Sequence, residues 1–316
     1  MPPPSPTPTP APTSTDAPAP LPMDVDGTKV VTITLEPNVG PMVVLDLPLI
    51  QRLELSLKSL PPGPTGLILA SGSDRVFVAG ADLKSIDAMS KDELERYLAY
   101  GQQVFGMICA LPCPTVAAIN GAALGGGLEL AMHCDGLVAA PAPVRDGQPG
   151  KPYPIGLPEA GLSICPGWGG TNLMPARIRD AADAISRTCA GKTMNIEEAA
   201  ACGLIDRMAE SPAALLGAAK SWLVDNRNAP GRRRDGRPLR WIGRDSCRNT
   251  VTQAYSALQA ELSKADPAAA CMKAIGAGLE TGWPAALEIE RKELNRLRNT
   301  AAGKAAIRAF LDKSKK

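Results

Sequence analysis

Histidine is nearly absent from this chain and aromatic rings are scarce: one His, three Phe, four Tyr and four Trp in 316 residues. A single imidazole leaves a zinc site short of partners, although Cys109 and Cys113 stand close together. The eight cysteines, at 109, 113, 134, 165, 189, 202, 247 and 271, form no CxxC pair and sit mostly in apolar or helical contexts. They read as reduced core thiols, so a reducing compartment is expected and the location is taken as cytoplasmic. A basic excess is missing too. The formal net charge is +2, with no basic stripe interleaved with aromatics, which argues against nucleic acid as a partner. No apolar run reaches the roughly 18 residues that a membrane span needs, so none is expected. Residues 1–22 contain ten prolines and no Lys or Arg, which fits neither an Arg-rich transit peptide nor a secretory signal. This stretch is expected to be a disordered, partly polyproline II tail.

The remainder is 45% hydrophobic over the whole chain, enough for a sizeable core. The expected division is a tail over 1–22, a core over 23–225 and a helical region over 226–316. Lys29–Leu35 alternates β-branched residues and predicts a strand, and Met42–Leu45 predicts a second. Leu49, Leu53 and Leu57 recur every four residues, which predicts an amphipathic helix. Gly66–Ala70 predicts a buried strand aimed at the loop before Phe77–Asp82, where an open α/β sheet commonly places ligands. Lys91–Ala110 predicts a long helix ended by Pro112. Strand, strand, helix, strand is the start of a repeating unit.

The stretch from Pro114 to Thr171 is richer. Thr115–Ile119 predicts a doubly buried strand, and Gly125, Gly126 and Gly127 open a helix that carries Glu129 in its first turn. Unpartnered N–H groups at such a glycine-rich helix start can meet a developing negative charge. A second carboxylate, Glu159, lies in Leu157-Pro158-Glu159, ahead of the turn Pro166-Gly167-Trp168-Gly169-Gly170. Either glutamate alone is ordinary, one as a helix-start acid and the other as a loop residue. His133 falls on the same helix face as Glu129 and reads as a core imidazole in preference to a catalytic partner. After Thr171, helices are predicted over Asp180–Cys189, Ile196–Ala201 and Pro212–Asp225, with Asn195 and Glu198 forming a capping box. The Arg-rich segment Asp225–Arg248 reads as an exposed connector, and no GxGxxG follows it.

Three separated motifs together resemble the crotonase, or enoyl-CoA hydratase/isomerase, superfamily. They are Phe77-Val78-Ala79-Gly80-Ala81-Asp82-Leu83; Asn120-Gly121 with Gly125-Gly126-Gly127-Leu128-Glu129-Leu130 and Cys134-Asp135; and Pro158-Glu159 with Pro166-Gly167-Trp168-Gly169-Gly170-Thr171. The resemblance runs from about Thr28 to the C-terminus. It implies an α/β fold, a crotonase-like spiral of ββα units with a C-terminal helical region used in trimerisation, and an acyl-CoA thioester as substrate. It implies Glu129 and Glu159 as catalytic groups and the N–H groups of Ala81 and Gly126 as an oxyanion hole. Ala81, Asp82, Leu83 and Lys84 would line the CoA channel; for Lys84 a phosphate contact competes with a plain solvated helix position. Phe310 and Lys313 match the C-terminal aromatic and lysine that reach CoA in the family, against a reading as one core ring and one tail charge.

The reaction so implied is hydration of a trans-2-enoyl-CoA to the 3-hydroxyacyl-CoA, in fatty-acid or related acyl-CoA degradation (β-oxidation). It needs no metal and no redox cofactor, coenzyme A being part of the substrate. Alternatives are a Δ3-Δ2-enoyl-CoA isomerase, in which the second glutamate is normally replaced, and an acyl-CoA hydrolase. A non-catalytic acyl-CoA sensor would be marked by loss of a motif glutamate, and this chain has both. The expected assembly is a homotrimer or a dimer of trimers. One departure from the family pattern is the segment 141–154, which lengthens the connection between the two glutamates and either caps the acyl end of the pocket or decorates the surface.

Overall fold

The computed structural model describes residues 18–145, 148–227 and 235–313. A six-stranded sheet runs in the spatial order Met23–Val25, Val30–Leu35, Gly66–Ser71, Thr115–Ile119, Gly136–Ala139, Arg207–Met208. Only the first pair is antiparallel; the rest are parallel. A smaller sheet orders Met194–Asn195, Pro154–Gly156, Ala122–Leu124, Val76–Val78. Each turn of the chain sends one longer strand to the large sheet and one short strand to the small sheet, then adds helix. Gly66–Ser71, Val76–Val78 and the helices Leu83–Ala88 and Lys91–Ala110 make one such unit, and Thr115–Ile119, Ala122–Leu124 and Gly126–Met132 make the next. This is the expected spiral of ββα units.

Parallel strands buried on both faces need an apolar residue at nearly every position, and Thr115–Ile119 is buried throughout. Successive side chains of Val30–Leu35 divide between two cores. Val31, Ile33 and Leu35 join the large core between the sheets, while Val30 packs with Ile68, Val116 and Val138 beneath the helix Leu215–Asp225. Trp222 of that helix lies so close to Gly136 that a Cβ there would sit 2.4 Å from its ring.

Several expectations need correction. Met42–Leu45 is not a strand: the segment makes only the isolated bridges Val39 to Met42 and Leu45 to Ala81. The tail cannot extend to residue 22, because Leu21 is buried, its N–H donates to Ser56 Oγ at 2.7 Å, and Arg52 Nε donates to the Ala19 carbonyl at 2.9 Å. Residues 1–17 of that tail lie outside the described residues. The Arg-rich segment is not a solvated connector along its length. Residues 228–234 are outside the described part, but Trp241 and Ile242 are core residues, and Arg240 pairs with Asp206 at 2.6 Å. In the 141–154 segment, Val144–Arg145 and Gln148–Pro149 pair as two short antiparallel strands. Pro143, Gly150, Lys151 and Tyr153 border a depression with Asp74 and Arg75, and none of the segment's described residues borders the cavity described below.

The C-terminal region is helical over Arg248–Leu262, Asp266–Glu280, Trp283–Arg298 and Ala301–Lys313. Among the described residues, no helix is long and apolar enough to cross a membrane.

Candidate active site

A cavity of about 340 Å³ opens where the small sheet meets the helices that follow it. One wall is the Gly80-Ala81 turn. Leu45 holds it on both sides, its N–H donating to the Gly80 carbonyl at 2.9 Å and its carbonyl accepting from Asp82 N–H at 3.1 Å. In a parallel bridge the residue between two such bonds points its own N–H away from the partner strand. Ala81 N–H therefore faces away from Leu45, and Ala81 borders the cavity. Tyr97 reinforces the clamp, its hydroxyl donating to the Leu45 carbonyl at 2.6 Å.

The opposite wall is the glycine triplet. Gly125 has φ of +52°, a conformation that disfavours a side chain. Gly126 is the first residue of the helix Gly126–Met132, so its N–H has no intrahelical partner. A Cβ on Gly126 would lie 2.3 Å from the Trp168 ring. Trp168 is fixed in turn: Nε1 donates to the Leu98 carbonyl at 3.1 Å, and the ring packs edge-on against Tyr97 and Phe105.

Both predicted glutamates border this cavity and both are buried. Glu129 Oε1 accepts from the N–H groups of Trp168 and Gly170, each at 2.8 Å. Burial, then the nearby charges of Glu290 and Glu159, raises its pKa well above the usual carboxylate range. Glu159 opens a one-turn 3-10 helix over Glu159–Leu162, and its Oε2 is buried with no protein partner among the described residues. Burial is the main cause that pushes its pKa up to about 8.

The other predicted residues divide. Leu83 and Phe310 border the cavity. The Asp82 carboxylate is occupied as a helix cap, accepting from Lys84 N–H at 3.1 Å and from the Ser85 hydroxyl. Lys84 and Lys313 are exposed and border no part of the cavity. His133 is a core imidazole: its Nδ1 lies 2.8 Å from the Glu129 carbonyl, not the carboxylate, and burial lowers its pKa to about 4.

Glu290 was absent from the sequence reading. It is fully buried in the helix Trp283–Arg298, where Oε2 accepts from Gly169 N–H at 2.5 Å and Oε1 accepts from Thr171 N–H at 3.0 Å and Thr171 Oγ1 at 2.5 Å. A signal did exist: Glu290 lies one helical turn from both Ala286 and Leu294, so a charge sits inside an apolar stripe.

A sequence model described as enoyl-CoA hydratase/isomerase matches residues 30–228. The crotonyl-CoA hydratase of Syntrophomonas wolfei is 38% identical over 144 residues, 46% of this chain and 51% of that protein. The fatty acid oxidation complex subunit alpha of Vibrio cholerae is 34% identical over 251 residues, 78% of this chain and 34% of that protein. The chain thus spans about half the length, or less, of these curated relatives. Among solved structures, an enoyl-CoA hydratase from Bacillus halodurans superposes with a TM-score of 0.63, covering 91% of this chain and 98% of that one at 20% identity. At that identity the likeness is one of fold.

Proposed function

We propose, from the premise that the chain belongs to the enoyl-CoA hydratase/isomerase family, that it adds water across the 2,3 double bond of a trans-2-enoyl-CoA to give the 3-hydroxyacyl-CoA, in acyl-CoA degradation. The observation that carries this reading is the meeting of two buried carboxylates and two outward-facing backbone N–H groups at one largely apolar cavity.

In this reading the thioester oxygen sits between Ala81 N–H and Gly126 N–H. Water attacking C3 pushes electrons onto that oxygen, and each fixed donor contributes about 3 kcal/mol to the enolate-like transition state. Glu129 acts as the base. With Oε1 held by two amides, Oε2 takes the proton from water as the O–C3 bond forms. Burial raises both carboxyls, and the one that ionises is assigned by its donors: two amides on Glu129 Oε1 stabilise a charge there, while Glu159, whose Oε2 has no protein partner among the described residues, keeps its proton and delivers it to C2. Passage of the water's proton from Glu129 to Glu159 restores the starting state. Two buried carboxylates that repel each other hold fewer than two charges, which suits one base and one acid. The reaction balances with water alone, so it takes no metal or redox cofactor. Leu83 and Phe310 offer apolar contact to the acyl-thioester arm.

The test is turnover of crotonyl-CoA and longer 2-enoyl-CoAs, followed as loss of the conjugated absorbance. Glu129→Gln should lose on the order of 10²-fold or more in kcat with the fold intact. Rapid turnover of a 3-enoyl-CoA, with 2-enoyl-CoAs inert, would replace hydration by isomerisation.

A further inference from the structure

Four consecutive backbone N–H groups, from Trp168 to Thr171, alternate between two carboxylates. Glu129 takes those of Trp168 and Gly170, and Glu290 takes those of Gly169 and Thr171. The two acids come from the central helix Gly126–Met132 and the C-terminal helix Trp283–Arg298, and the turn between them is gripped from both sides. Glu290 borders no part of the cavity, so it meets no substrate itself.

Placing an unpaired carboxylate in an apolar stripe is expensive unless donors meet it. Here three donors converge on Glu290, and their effect passes to the site. With Gly169 and Thr171 held by Glu290, the intervening N–H of Gly170 and the preceding one of Trp168 are presented to Glu129. That fixes Glu129 Oε1 and, among the described residues, leaves Oε2 without a protein donor. We propose that Glu290 is a positioning residue of the active site, which orients the Trp168–Thr171 turn so that Glu129 is held ready for the attacking water. This rests on the hydration reading above.

The surroundings make the effect electrostatic as well as geometric. Glu129 faces Glu290 from the central helix, Glu159 from the 3-10 turn, and Cys165 from the loop after it, its thiol donating to the Glu290 carbonyl at 3.9 Å. Cys271 approaches from the neighbouring helix. On its own helix, Arg291 is engaged by Glu95 at 2.9 Å, and Glu293 by Lys273 and Arg296. Burial raises the Glu290 pKa to about 7, and its negative form raises that of Glu129 in turn.

The experiment compares the full chain with Glu290→Gln and Thr171→Val, measuring kcat, KM and the pH profile on crotonyl-CoA. A glutamine at 290 must turn its NH2 toward one of the N–H groups it should accept from, and it removes the like charge. The expected result for Glu290→Gln is a fall in kcat of about 10-fold or more with KM within about twofold. The acidic limb of the profile, where Glu129 ionises, should move to lower pH. Thr171→Val removes the hydroxyl that donates to Glu290 and accepts from Asn172 Nδ2 at 2.9 Å; loss of the donor leaves Glu290 neutral over more of the pH range and should shift the limb the same way by less. If Glu290→Gln does not fold, Thr171→Val decides. Variants that melt lower but keep the wild-type pH profile and kcat per folded molecule would show a purely structural role and overturn the proposal. A wild type inert on enoyl-CoAs sinks the hydration reading and this proposal with it, whereas an active wild type with unmoved variants sinks this proposal alone.

Discussion

Two glycine-to-alanine changes should move in opposite directions, and the structure says by how much. At Gly126 an added Cβ would lie 2.3 and 2.6 Å from two Trp168 ring carbons and 3.3 Å from Leu45. The ring has no retreat, since a Cβ at Gly101 on its other side would itself be 2.3 Å from Nε1. Overpacking of this kind costs about 1–3 kcal/mol. With roughly 2–4 °C per kcal/mol for domains near this size, Gly126→Ala should melt about 2–12 °C lower. Because the backbone must also yield, its N–H leaves the oxygen's position and kcat should fall about 10²-fold, as when one oxyanion donor is removed. Gly217, exposed within the helix Leu215–Asp225, has nothing within 4 Å of an added Cβ. There alanine relieves the helix penalty of glycine, and the variant should gain about 0.5–1 kcal/mol with turnover unchanged. Thermal melts and initial rates on crotonyl-CoA check both. A Gly126→Ala protein with wild-type melting temperature and kcat would refute the packing argument and the assignment of its N–H together.

Stability should also depend on pH through Glu159. It titrates near pH 8 in the fold against 4.5 ordinarily, so within that window the folded state keeps a proton that the unfolded chain releases, and stability falls as pH rises. Glu159→Gln, neutral throughout, should lose less melting temperature than wild type between about pH 5 and pH 8; parallel curves would contradict the raised pKa. Deleting residues 1–17 should leave melting and turnover unchanged, whereas deletion through residue 22 removes buried Leu21, worth about 1.5–3 kcal/mol, and should lower the melting temperature. We propose assembly as a trimer or dimer of trimers, so light scattering should give about three or six times the chain mass of 32.9 kDa, and a clean monomer would rule this out.

Much of the architecture was legible because local signals agreed with the tertiary outcome. The helix Lys91–Ala110 and the capping box of Asn195 with Glu198 appear as read, since both depend on short-range periodicity and side-chain-to-backbone bonds. The Met42–Leu45 strand failed because its β-branched residues find only isolated bridges to pair with. Leu21 could not be seen as core, because one leucine at the end of a proline-rich run carries no period. Glu290 escaped for a related reason. Ala286, Ile289, Leu294 and Leu297 suggest an apolar stripe in its helix, but Ile289 is only partly buried and Glu290 occupies the fully buried position beside it. A charge in a core period shows its purpose only when its partners, here more than a hundred residues earlier in sequence, are in view. The two motif glutamates were visible because the glycines and prolines around them mark backbone shape locally. Lys84 and Lys313 were singled out by the same resemblance, yet both side chains are exposed away from the cavity.

The grip of Glu129 and Glu290 on the Trp168–Thr171 turn has a consequence for deuterium exchange. Glycine-rich turns usually trade their amide hydrogens with solvent by small local openings, long before the core does. Here the four N–H groups are buried and bonded to acids anchored in two different helices. Freeing them all requires both Glu129 and Glu290 to release the turn. The turn should therefore exchange on the timescale of global unfolding, a stretch of loop that keeps the time of the core.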